Sequence, residues 1–196
     1  MKKNISFFIV LVLAGIFLFL QINCSSKKEM SNDELISRGK YLTTIGGCND
    51  CHSPKVMTQM GPVPDSTKLL SGYPARLRIL PIDTSLISLG KWILTNDEST
   101  IWVGPWGISF SANITPDSTT GIGAWTLDNF ISTMRTGKHL GTGRMLLPPM
   151  PWESIGSLND EDLKALFTYL RTVSAINNRV PNPVSPNMVG DKSFNN

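Results

Sequence analysis

Between Ile5 and Leu20 almost every position is apolar; beyond that run, apolar residues recur with shorter periods between polar ones. Three later segments carry the three-to-four-residue recurrence of a half-buried helix. In residues 33–46, Leu35, Ile36, Tyr41, Leu42 and Ile45 make the predicted apolar face. A second helix starts at Thr126, a good N-cap, and ends at Gly137, with Leu127, Phe130, Ile131 and Met134 on its buried stripe. The third has Asn159 as N-cap and Asp160, Glu161 and Asp162 in its first turn, where carboxylates meet the positive end of the helix dipole. Leu158 and Leu163 are spaced as a hydrophobic staple, and Leu163, Leu166, Phe167, Leu170 and Val173 follow at helical spacing. These segments predict an all-α domain. Residues 72–112 interrupt it, as a long inserted loop or as a small hairpin in which Trp92-Ile93-Leu94 and Ile101-Trp102-Val103 flank Thr95 to Thr100. Residues 177–196, rich in Asn, Pro and Ser, read as a flexible tail.

The N-terminal apolar run is short for a membrane span, which needs roughly 18 or more residues, and suits the core of a signal peptide. Lys2-Lys3 precedes it as a positive n-region, and it closes on Leu20-Gln21-Ile22-Asn23-Cys24. That ending resembles the lipobox of bacterial lipoproteins, although Asn23 stands where Gly or Ala is usual. The expected division is a signal peptide over 1–23, lipidation at Cys24, a polar tether over 24–35, the main domain over 36–176 and the tail over 177–196. An uncleaved anchor helix or ordinary cleavage nearby would equally put the domain outside the cytoplasm. The net charge is +3, and removal of residues 1–23 would leave +1. No basic stripe marks a nucleic-acid partner.

The chemistry is concentrated in Cys48-Asn49-Asp50-Cys51-His52, which takes two of the three cysteines and one of the two histidines. Cys-x-x-Cys-His is the attachment signature of c-type haem. Thiols three positions apart lie on neighbouring faces of one helical turn, where they can add to the two vinyl groups along one porphyrin edge. The next residue, His52, is then aimed at the iron. Competing readings fit less well. A thioredoxin-type pair would follow a buried strand in a βαβ pattern, which is absent before Cys48. Zinc would need a further ligand, and only His139 remains. A disulfide across two residues would be strained.

Around this motif, Arg38-Gly39-Lys40-Tyr41-Leu42 and Gly46-Gly47-Cys48-Asn49-Asp50-Cys51-His52-Ser53-Pro54 resemble the start of a class I c-type cytochrome. Gly104-Pro105-Trp106-Gly107, Asn113-Ile114-Thr115-Pro116-Asp117, Gly121-Ile122-Gly123-Ala124-Trp125 and Leu147-Pro148-Pro149-Met150-Pro151-Trp152 are similar to cytochrome domains in the haem-carrying subunits of bacterial membrane-bound dehydrogenases. Such subunits often carry several haem motifs, and this chain has one. The resemblance implies a class I cytochrome c fold around one covalently attached haem, with the first and last helices crossing at Gly39 against Tyr169 or Phe167. It also implies a proline carbonyl, Pro62 or else Pro64, on the second ring nitrogen of His52.

An electron carrier closes the sixth iron position, commonly with methionine. Met150 is flanked by Pro148, Pro149 and Pro151, which stiffen the loop and reduce the entropy lost on ligation. Met145 and His139 are the alternatives. Trp125 is placed to pack on a haem edge and Arg144 to pair with a propionate. The expected function is electron transfer on the outer side of the bacterial inner membrane, between dehydrogenase or oxidase partners, with a lipid anchor. The alternative is a haem enzyme or small-ligand sensor with an open iron site.

Overall fold

The computed structural model describes residues 29–189, except positions 78, 80, 81, 84, 86 and 87. The apolar run, Cys24 and positions 190–196 lie outside the described residues. All the elements below fall in the unit Asn32–Asn196.

Among the described residues, five α-helices and two small sheets follow in chain order. Helix α1 (Asn32–Ile45) leads into the short α2 (Cys48–His52), then come the strands β1 (Lys55–Thr58), β2 (Gly61–Pro64), β3 (Leu94–Thr95), β4 (Ile101–Gly104) and β5 (Gly107–Phe110). Helices α3 (Leu127–Thr136), α4 (Trp152–Gly156) and α5 (Asp160–Leu170) complete the domain. The caps act where the residue types place them. Thr126 Oγ1 accepts from Asn129 N while Asn129 Oδ1 accepts from Thr126 N, and α3 stops at Gly137 in the left-handed region. Asn159 caps α5 by accepting from Asp162 N.

The helical core joins Leu42 of α1 to Phe130 and Met134 of α3 and to Leu163, Leu166 and Leu170 of α5, with Leu70 and Ile122 from the connections. On α1 the buried face is Leu35, Gly39, Leu42 and Thr43; Tyr41 and Ile45 face outward. Helices α1 and α5 meet at Gly39. A Cβ there would overlap the Ala165 carbonyl oxygen and stand 2.6 Å from Tyr169 Cβ. Tyr169 therefore fills the aromatic position at this crossing, while Phe167 stacks at 5.3 Å on Phe130. Backbone cannot yield as a side-chain tip can. Gly39→Ala is expected to cost about 2–3 kcal/mol and to lower Tm by about 5–10 °C, read by thermal unfolding. An unchanged Tm would mean that the helices are not locked at this point.

The architecture is not all-α. Strands β1 and β2 pair antiparallel with Val56 opposite Val63 and Met57 opposite Pro62. Residues 94–110 form neither a loop nor a single hairpin but a three-stranded antiparallel sheet in the order β3-β4-β5. Its β-branched and aromatic residues suit a pleated, half-buried surface. Ile101, Val103 and Ile108 bury a second small core with Tyr73. In β1–β2, two prolines are tolerated because the ribbon has only two strands and is largely exposed.

Part of the segment read as a flexible tail is tied to the domain as far as residue 189. Asn178 Nδ2 donates to the carbonyls of Ser71 and Tyr73, its Oδ1 accepts from Ala75 N, and Val184 forms a bridge with Ile108. The Asn113–Asp117 motif serves the same closure. Asn113 is buried, donating to Ile176 O and accepting from Thr115, and the hydroxyls of Thr120 and Thr119 help hold the Asp117 carboxyl down at about 2.

Candidate functional site

The turn carrying the two cysteines begins at Gly47, whose φ of 63° lies in the left-handed region that favours glycine. One turn of helix then presents Cys48, Cys51 and His52, all partly buried. The two thiols are not joined to each other. Burial pushes both thiols up from their ordinary value, which works against the thiolate chemistry of a redox dithiol or a zinc ligand.

His52 is oriented through its backbone and its ring. Gly72 N donates to His52 O at 2.7 Å, and Nδ1 lies 2.8 Å from the Ala112 carbonyl oxygen. A carbonyl only accepts, so Nδ1 carries the proton and Nε2 is left with its lone pair. Burial pushes the imidazole down, keeping it neutral as a metal ligand requires. The partner is therefore Ala112 and not Pro62, which sits exposed in β2 opposite Met57. The chain between the Cys48–His52 turn and Ala112 passes through the three-stranded sheet before returning to the ring.

Further contacts secure the turn. Lys55 Nζ donates to the carbonyls of Asn49, Asp50 and Ser53 at 3.2, 2.9 and 2.7 Å, satisfying the C-terminal end of α2. Ser53 Oγ donates to Asn49 Oδ1 and accepts from Leu70 N. Sequence pattern does not single out Lys55 or the hydroxyl bonds of Ser53, although a basic residue near a helix C-terminus is a known signal. Ala112 acts through its main chain and leaves no signal in its side chain.

Met150 and Trp125 pack against the same apolar cluster as Cys48. Among the other methionines after the haem motif, Met57, Met60, Met145 and Met188 are exposed and Met134 is buried within α3. His139 meets the Trp125 ring edge-on at 5.2 Å, and burial and Arg144 both push its imidazole down. Arg144 donates to Met145 O and forms no ion pair among the described residues.

No protein-family model matches the chain. It is 34% identical over 141 residues to the gluconate 2-dehydrogenase cytochrome c subunit of Pantoea cypripedii, covering 72% of this chain and 24% of that protein. It is 32% identical over 137 residues to the fructose dehydrogenase cytochrome subunit of Gluconobacter japonicus, covering 70% and 21%. It is 33% identical over 139 residues to the cytochrome c subunit of the quinone alcohol dehydrogenase of Gluconobacter oxydans, covering 71% and 21%. Its homologues are cytochrome c subunits of dehydrogenases. The chain spans less than a quarter of the length of these curated relatives.

A cytochrome c homologue implies haem c, and the donor set fits it. An imidazole with Nδ1 tied down and Nε2 available, two unpaired thiols on the same turn, and a thioether on the shared apolar cluster are the groups such a haem needs. The relatives support a haem electron-transfer role, consistent with a carrier rather than a catalytic subunit.

Proposed function

We propose that this chain is a single-haem c-type cytochrome, exported and anchored by a lipid on Cys24, that carries electrons on the periplasmic side of the bacterial inner membrane. Its partners are a dehydrogenase on one side and a respiratory acceptor on the other. The observation that carries the reading is His52, held by the Ala112 carbonyl in the turn that also presents Cys48 and Cys51. In this reading Cys48 and Cys51 would hold the haem by two thioether bonds, and His52 and Met150 would be its iron ligands. Trp125 covers an edge of the macrocycle and Arg144 pairs with a propionate. The haem supplies a one-electron couple when bound. The single Cys-x-x-Cys-His motif supports one haem in this chain, and the run from Lys2 to Cys24 supports export and anchoring.

Two measurements on the purified protein test this. The oxidised form should show the weak red band of sulfur–iron ligation, and the reduced form should bind carbon monoxide poorly. Mass spectrometry should find an acylated Cys24 at the mature N-terminus. A reduced protein that takes up carbon monoxide at once would transfer the site to a ligand-binding or catalytic role, and an unmodified segment 1–23 would remove the anchor.

A further inference from the structure

The loop Leu147–Trp152 has little means of bracing itself. Pro148, Pro149 and Pro151 have no N–H, so its internal bonds are Met150 N to Leu147 O at 3.3 Å and Trp152 N to Met150 O at 2.9 Å. A tie from outside comes from the three-stranded sheet. Ser109 of β5 is buried, and its Oγ donates to the Pro148 carbonyl at 2.6 Å. The same oxygen accepts the Trp106 indole N–H at 3.3 Å. That acceptance leaves the hydroxyl proton free to point at Pro148. The Trp106 ring is itself seated over Gly104, where a Cβ would stand 2.6 Å from it. Strand β5 is held in turn by pairing with β4, with Ser109 opposite Trp102, and by the bridge from Ile108 to Val184.

We propose that Ser109, aimed by Trp106, is a positioning residue that fixes the Met150 loop against the sheet and so sets the strength of the thioether–iron bond. This rests on Met150 as the distal ligand. A hydroxyl donor two residues before the methionine restricts how far the loop can swing from the iron. Removing it should leave the haem attached and the methionine present but easier to displace.

The test is the affinity of imidazole for the iron in the oxidised, haem-loaded protein, measured by absorption titration beside thermal unfolding. One hydrogen bond corresponds to about a tenfold change in an equilibrium. Ser109→Ala should therefore bind imidazole about tenfold more tightly than wild type, with a weakened red band. Trp106→Phe should shift in the same direction by about threefold, since it disorders the hydroxyl without deleting it. Ser109→Thr, which keeps the donor, should return to the wild-type affinity. If Ser109→Ala and Trp106→Phe bind imidazole as wild type does, while Met150→Ala binds it far more tightly, the serine only packs and the proposal is overturned. If Met150→Ala also binds no more tightly, the ligand reading itself fails, and the proposal goes with it. Should Ser109→Ala not accumulate with haem, Trp106→Phe decides alone.

Discussion

Replacing Cys48 and Cys51 together by serine is expected to yield a polypeptide that gives no band under a haem-activity stain after denaturing electrophoresis, from cells that mature c-type cytochromes normally. Thioether bonds survive denaturation and iron–histidine bonds do not, so the stain reads covalent attachment alone. The effect should extend to folding. Cys48, Trp125 and Met150 border a core whose fully buried members include Leu163. A haem seated on that border would do the work of several large apolar side chains. Losing one such side chain from a core costs about 2–5 kcal/mol. Losing the equivalent of several is comparable with a domain's whole stability of about 5–15 kcal/mol. The double variant should therefore show reduced helical circular dichroism and rapid proteolysis. A stained band at the mature mass would refute covalent attachment through this turn.

Met150→Ala should keep the haem and change its chemistry. On the proposed ligation, loss of the thioether should open the sixth position, remove the weak red band, and let carbon monoxide bind the reduced form and cyanide the oxidised form readily. A soft thioether favours reduced iron, so the potential should fall. Axial ligands move haem potentials over about 0.8 V in total, and losing one of the two should cost on the order of 0.1–0.2 V. Potentiometric titration checks this. If Met150→Ala keeps the wild-type spectrum and potential while Met145→Ala alters both, the ligand is Met145 despite its exposure.

Sequence pattern reveals helices α3 and α5 most fully, because each carries a cap and a period that agree and α3 a stop as well, whereas the period of α5 runs on to Val173, past its end at Leu170. Thr126 with Asn129, Gly137, and Asn159 ahead of three acidic residues are all local signals. Helix α1 is legible as a helix but less so in its facing, since Tyr41 and Ile45 are apolar yet exposed. The sheets are harder to read. Strands of two to four residues are too short to display a period, and Pro62 and Pro64 look like turn residues although the exposed β1–β2 ribbon accepts them. Ala112 lies beyond sequence reasoning for a different reason. Its contribution is a carbonyl that every residue possesses, and only the path of the chain decides which one meets His52. Composition misleads for Asn178 as well. A polar residue in a polar stretch looks solvated, but this one satisfies the backbone groups of Ser71, Tyr73 and Ala75.

Ser109 and Ala112 are three residues apart on one length of chain at the end of the small sheet. The first holds Pro148, beside Met150, and the second holds the ring of His52. In a haem-loaded molecule this short segment would act as a caliper, with both jaws gauged from one bar. His52 and the Met150 loop could then not drift independently of each other, and the gap between them would be a property of β5 and its exit. A one-residue insertion between Ser109 and Ala112 would shift both holds at once.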